Sequence, residues 1–139
     1  MLRFCAAQVG PDRAEDCFQE TMLSALRAYD QLRDPEAIRS WLYSIASRKA
    51  IDAHRARARG PEPTADVEEL TAADEPELSD GSLWQQVRRL PPKQRQAVSL
   101  RYVADLSHRE IAMVMQTSEA AARRNVYEAL AQLRVHVAH

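Results

Sequence analysis

Glycine is nearly missing from this chain, with three among 139 residues. No Gly-rich loop is therefore available to cradle a phosphate, which removes the P-loop and dinucleotide-binding enzyme classes. Cysteine is as scarce: Cys5 and Cys17 have no CxxC partner and no nearby histidine ladder, so neither a metal ligand set nor a redox motif is present. Both read as small buried apolar residues. Aromatic residues make up 6% of the chain and β-branched alternation is almost absent, which points to an all-α fold. No apolar run is long enough to span a membrane and no signal peptide is recognisable, so a cytoplasmic location and no membrane partner are expected. His54, His108, His136 and His139 are scattered among exposed helical positions, no nucleophile has a base beside it, and no carboxylate pair has a recognisable setting. No catalytic residue, metal, cofactor or small-molecule substrate is expected on that reading.

What the chain does have is charge, sharply divided. Behind a net charge of -1, residues 1–59 hold ten Lys or Arg against eight acids, residues 60–82 none against eight, and residues 83–139 nine against four. Two basic elements thus flank an acidic strap. The strap, GPEPTADVEELTAADEPELSDGS, carries three prolines and only three large aliphatic residues, too few to offset the entropy of ordering it. It reads as a flexible linker and a domain boundary, either a solubilising spacer or something more specific.

Upstream, PDRAEDCFQETMLSALRAY opens with Pro11 at a helix start and acids in the first turn. Helical spacing puts Ala14, Phe18, Met22, Ala25 and Leu26 on one side, with Cys17 beside them. Asp16, Gln19 and Glu20 form the other face, as solvent coating or as a docking patch. A short interruption from Asp30 to Ala37 leads to a second helix, IRSWLYSIASRKAIDAHRARAR, in which Ile38, Trp41, Leu42 and Ile45 are expected to pack inward. Its outer face turns basic, with Arg39, Arg48, Lys49, Arg55, Arg57 and Arg59 against the single acid Asp52. Trp41 is expected in the core; Tyr43 is open between the core and base stacking.

The last third, from Leu90 to Arg134, carries the sharpest local signal. Ser107 followed three residues later by Glu110 is a capping box that starts a helix HREIAMVM, with Ile111, Val114 and Met115 on one face. Gln116 and Thr117 interrupt it. Ser118 then caps a second helix in which Ala122, Val126, Ala129, Leu130, Leu133 and Val137 recur at helical spacing. Two short helices about a tight joint make a helix-turn-helix, and small Ala112 suits their close crossing. Glu119, Ala120, Arg123, Arg124, Tyr127 and Glu128 are left on the outer faces, where a recognition helix meets base edges and phosphates. Arg123 and Arg124 are the leading contact candidates.

Taken in order, AEDCFQETML, IRSWLYSIASRKAIDAHRARAR and LPPKQRQAVSLRYVADLSHREIA resemble the extracytoplasmic-function (ECF) sigma factors of bacterial RNA polymerase, over nearly the whole chain. The resemblance implies two small helical domains: sigma region 2 over residues 1–59 and a sigma region 4 helix-turn-helix over 83–139, joined by the linker at 60–82. It implies core RNA polymerase as partner, through the largest-subunit clamp helices and the flap, with Asp16, Gln19 and Glu20 facing the polymerase. Promoter DNA is the second implied partner. The Asp30 to Ala37 loop, with Arg33, would hold a flipped base, and Arg39, Arg48, Lys49, Asp52, His54 and Arg55 would line the −10 strand path. The helix capped by Ser118 would enter the −35 major groove with Glu119, Ala120, Arg123, Arg124 and Tyr127, while Arg101 and Arg109 also hold phosphates. An anti-sigma factor is a third implied partner.

The chain departs from the family pattern at identifiable places. Its first helix is short, about Leu2 to Val9; Gln116 stands where the family tends to have a turn glycine; and Asn125, Glu128 and Leu130 replace residues that are commonly basic. The expected function is promoter recognition and transcription initiation. The alternative is a sigma-like decoy that binds an anti-sigma protein without initiating.

Overall fold

Gly10 ends the first helix because it adopts φ 93°, in the left-handed region that side chains disfavour, and its N–H closes on the Ala6 carbonyl. The structure is a computed structural model that describes residues 1–59 and 81–137. Apart from Gly81 and Ser82, the acidic strap lies outside the described residues.

Among the described residues seven α-helices follow one another: α1 (Leu2–Val9), α2 (Ala14–Ala28), α3 (Ile38–Arg59), α4 (Gly81–Arg89), α5 (Pro92–Tyr102), α6 (His108–Met115) and α7 (Glu119–Val137). No strand occurs among the described residues, and no described helix is long and apolar enough to cross a membrane. Glu15 and Asp16 sit in the first turn of α2, complementing its dipole. The link to α3 is two 3₁₀ turns, Tyr29–Gln31 and Pro35–Ala37, the second started by Pro35 and by Asp34, whose carboxylate accepts from the Glu36 N–H at 3.0 Å.

The inward rows of α2 and α3 differ from those expected. In α2 the buried residues are Ala14, Cys17, Thr21 and Ala25, whereas Leu26 is 73% exposed and Met22 36%. Small side chains let α2 approach α1 and α3 closely, and that contact turns Leu26 outward. In α3 the buried row is Tyr43, Ala46, Ser47 and Ala50, joined by Ile45, while Trp41 and Leu42 are half-buried and Ile38 lies toward solvent. Tyr43 is therefore core, its ring edge-on to Phe4 with centroids 5.2 Å apart. Cys5 and Cys17 share a buried cluster with Val9, Ala14 and Ala50, as small apolar residues do.

The two halves of the chain share one core. Phe4, Tyr43 and Ala46 from α1 and α3 belong to the same buried cluster as Leu100, Leu106, Ile111 and Val126 from α5, α6, α7 and the loop before α6. Helix α1 packs on α4 and α5, and α3 packs on α6. Across the same junction the Arg39 guanidinium donates to the Ala104 carbonyl, and Gln8 Nε2 donates to the Arg95 carbonyl at 3.4 Å. A second cluster, Val87, Leu90, Val98, Ala129 and Leu133, ties α4 and α5 to α7.

The helix-turn-helix forms as its caps dictate. Ser107 Oγ accepts the Glu110 N–H at 3.1 Å while Glu110 Oε1 accepts the Ser107 N–H at 2.8 Å. Helix α6 ends at Gln116 in the left-handed conformation, φ 55° and ψ 52°, and the Thr117 N–H returns to the Ala112 carbonyl at 3.0 Å. Two outcomes follow from this joint. Replacing exposed Ser107 by Ala removes one side of the box and should lower unfolding free energy by about 1 kcal/mol in a urea titration. Gln116→Gly, which removes the left-handed penalty on a side chain, should raise it by about 1 kcal/mol; an unchanged or lowered midpoint would show that the turn carries no strain.

Candidate nucleic-acid interface

Helix α7 buries Ala122, Val126, Ala129 and Leu133 and so presents Glu119, Ala120, Arg123, Arg124 and Tyr127 to solvent, Tyr127 at 69% exposure. Ser118 Oγ accepts the Ala121 N–H at 3.0 Å, which fixes the helix start. Arg123 Nη2 meets Glu119 Oε2 at 2.8 Å, one turn away and fully on the surface. An exposed pair of this kind contributes little stability, so Arg123 can exchange its carboxylate for a phosphate at small cost. Asn125 Nδ2 bonds back to the Ala121 carbonyl at 3.1 Å and is committed to its own helix.

Arg101 and Arg109 stand differently. Arg101 Nη1 donates to the Leu106 carbonyl at 3.0 Å and its guanidinium lies 5.8 Å from the Tyr102 ring centre, so it braces the loop that leads into α6. Arg109 is exposed on α6. The proton affinity of His108 is lowered, first by desolvation and then by the charges of Arg123 and Arg101, with Glu119 opposing.

Of the seven expected −10 residues, four come together. Arg48, Lys49, Asp52 and Arg55 line a concave surface of 340 Å³ with Ser24 and Ala28 of α2. Arg33 is exposed in the connection before α3. Arg39 reaches across to the Ala104 carbonyl of the other half. His54 faces elsewhere, its Nε2 2.7 Å from the Gln8 carbonyl; since a carbonyl only accepts, Nε2 carries the proton.

Asp16, Gln19 and Glu20 are all exposed on α2, and their face continues into Leu23, 52% exposed. The outward aliphatics Leu23 and Leu26 escaped the sequence reading, although the spacing of Gln19, Leu23 and Leu26 carried the signal. Also unforeseen is an apolar groove of 540 Å³ between α4, α5 and α7, lined by Leu83, Trp84, Val87, Tyr102 and Leu130 among others. Trp84 was its one advance sign.

Two family models match the chain: Sigma-70 region 2 over residues 2–60 and Sigma-70 region 4 over residues 80–133. RNA polymerase sigma factor SigV of Bacillus subtilis is 30% identical over 127 residues, covering 91% of this chain and 76% of that protein. The chain belongs to the ECF sigma factors. ECF RNA polymerase sigma factor SigD of Mycobacterium tuberculosis is 32% identical over 148 aligned positions, covering 96% of this sigma factor and 70% of that one. Among solved structures, the sigma factor RpoE in complex with the anti-sigma factor NepR from Bartonella quintana matches with TM-score 0.77 at 18% identity, covering 96% and 86% of the two chains. CnrH in complex with the cytosolic domain of CnrY matches with TM-score 0.72 at 23% identity, covering 98% and 80%. These two similarities establish the fold.

The half-buried His54 of this sigma factor makes its stability depend on pH. Burial lowers the proton affinity of His54 below its ordinary 6.5; the bond to the Gln8 carbonyl opposes this, while the charges of Arg95, Arg57 and Arg13 add to it. The unfolded chain takes up the proton first, so acid favours unfolding: stability is lost as pH falls from about 6.5 toward the lower folded value. His54→Gln should lose less stability than the parent between about pH 7.5 and about pH 5 in urea titrations. Parallel pH profiles would mean that His54 is not held in its neutral form.

Proposed function

We propose that this ECF sigma factor binds core RNA polymerase through the exposed α2 face of Asp16, Gln19, Glu20 and Leu23, opens promoter DNA along α3, and reads the −35 element with α7. The two-domain division at the acidic strap, residues 1–59 against 83–139, is part of this reading. One observation carries it: a single chain presents both a basic concave surface on α3 and a capped recognition helix whose arginines project to solvent. A simple helix-turn-helix repressor would need only the second.

Each surface has a physical task. Arg48, Lys49 and Arg55 supply phosphate attraction along the separated strand, with Ile45 and Ile51 as an apolar floor. Arg123 and Arg124 combine phosphate contact with access to base edges. Arg101 acts indirectly, by holding the loop from which α6 starts. The α4–α5–α7 groove has the chemistry to seat an amphipathic helix of the polymerase flap or of an anti-sigma factor.

Initiation requires the halves to part. The −10 and −35 elements lie roughly 25 base pairs apart, about 85 Å at 3.4 Å per pair. A 22-residue helix, the length of α3, spans about 33 Å. Helices sharing one core do not reach both elements, so the packed form corresponds to a resting or anti-sigma-held state. One of the similar structures, the sigma factor RpoE, is in complex with a protein named as an anti-sigma factor.

The test is run-off transcription with core polymerase and a set of promoter fragments, paired with an Arg123→Ala, Arg124→Ala variant. The variant should retain core binding, lose promoter-specific transcript, and show a salt dependence of duplex binding shallower by up to about two units of slope. Core binding without transcript from any promoter would favour a decoy; unchanged promoter binding by the variant would remove α7 as the reading helix.

A further inference from the structure

A further cavity lies between the two halves, separate from the α4–α5–α7 groove and meeting the α3 surface at Ile51. It measures 520 Å³ and is walled by Gln8 of α1, His54 of α3, Lys93 and Arg95 of α5, and Arg124 and Asn125 of α7. Three permanent cations face it, and no carboxylate lines it among the described residues. We propose that this cavity binds a small phosphorylated ligand of the nucleoside di- or triphosphate class, and that the bound ligand holds the halves together.

The argument starts from Arg95. Its Nη1 donates to the Arg88 and Leu90 carbonyls at 2.9 and 3.4 Å, but its Nε is buried without a partner among the described residues. A partly buried guanidinium with an orphaned donor and no counter-anion among the described residues is costly, and burial is what depresses its proton affinity. Lys93 and Arg124 have no ion-pair partner among the described residues and add like charge to the same cavity. An anion here neutralises three charges at once.

The surroundings narrow the ligand further. Helix α5 begins at this wall; Pro91 offers its first turn no side-chain cap and no acid lies in that turn, so the backbone N–H groups and the dipole add to the attraction for phosphate. Gln96, Asn125 and Gln116 bring neutral amides, and Ile51, Met115 and Pro92 bring apolar area suited to a flat ring. The volume falls within the range of small-ligand sites, about 300–1,000 Å³, and far exceeds what inorganic phosphate fills.

Occupancy has a defined consequence. Because Gln8 and His54 come from one half and Lys93, Arg95 and Arg124 from the other, a ligand touching both binds the packed form better than the parted one. It also takes up Arg124, a residue assigned above to DNA. The ligand is thus an antagonist of promoter binding. This inference does not depend on which promoter is read.

The experiment is isothermal titration of the full chain with ATP, with pyrophosphate and adenosine as separate probes, followed by −35 duplex binding with and without ATP. The proposal expects ATP to bind in the micromolar to millimolar range, adenosine to give no heat, and ATP to weaken duplex binding. Lys93→Glu, at an exposed site that leaves the core untouched, should weaken ATP binding by about tenfold or more, as should Arg95→Met; circular dichroism confirms folding. No binding of ATP or pyrophosphate overturns the proposal, as does ATP binding that both variants leave unchanged. If ATP does not bind while Lys93→Glu weakens the duplex, the cavity is a DNA surface and the proposal fails.

Discussion

Phe4 and Tyr43 meet edge to face inside a cluster that also holds Leu100, Leu106, Ile111 and Val126, more than fifty residues further along the chain. That contact decides where everything else stands. Burying Phe4 completely draws the end of α1 against α4 and α5; burying Tyr43 lays α3 against α6, and Ala46 permits the close approach. Two units that the charge pattern separates are thereby packed into one body. Gln8, His54 and Arg39 owe their present partners to this packing.

Local chemistry made most of the C-terminal half legible in advance. The Ser107–Glu110 box, the Ser118 cap and the break at Gln116 are each decided by residues within four positions of one another, and all three stand where the sequence placed them. The outward set on α7 follows from the same periodicity. The short first helix, about Leu2 to Val9, was expected from the family resemblance rather than from local signals, and α1 spans Leu2–Val9. The inward faces of α2 and α3 were not legible. Periodicity marks an apolar stripe, whereas the buried row is chosen by what packs there, and rows of Ala, Cys, Ser and Thr allow a closer approach than Leu26 or Trp41 would.

The candidate site divides in a similar way. Arg48, Lys49, Asp52 and Arg55 recur at three- to four-residue spacing on one helix, so sequence alone could gather them, and the structure does the same. Arg39 and His54 belong to the same helix but find acceptors on other elements, the Ala104 and Gln8 carbonyls. Nothing local encodes such tertiary bonds. The apolar groove and the interdomain cavity were illegible for the same reason, since each is walled by three or more elements.

Charge and packing pull against each other at the junction. Shared apolar burial favours contact between the halves, while Lys93, Arg95 and Arg124 crowd one cavity, and the proton affinity of His54 beside them is lowered by burial despite its bond to Gln8. Like charges in a partly desolvated space are screened less than exposed ones, so the repulsion persists at salt concentrations that quench surface pairs. The net strength of the junction is the difference of these two effects, and whatever neutralises the cavity strengthens it. On the proposed reading, in which the chain opens to reach two DNA elements, an anion held in this cavity shifts the balance toward the packed form.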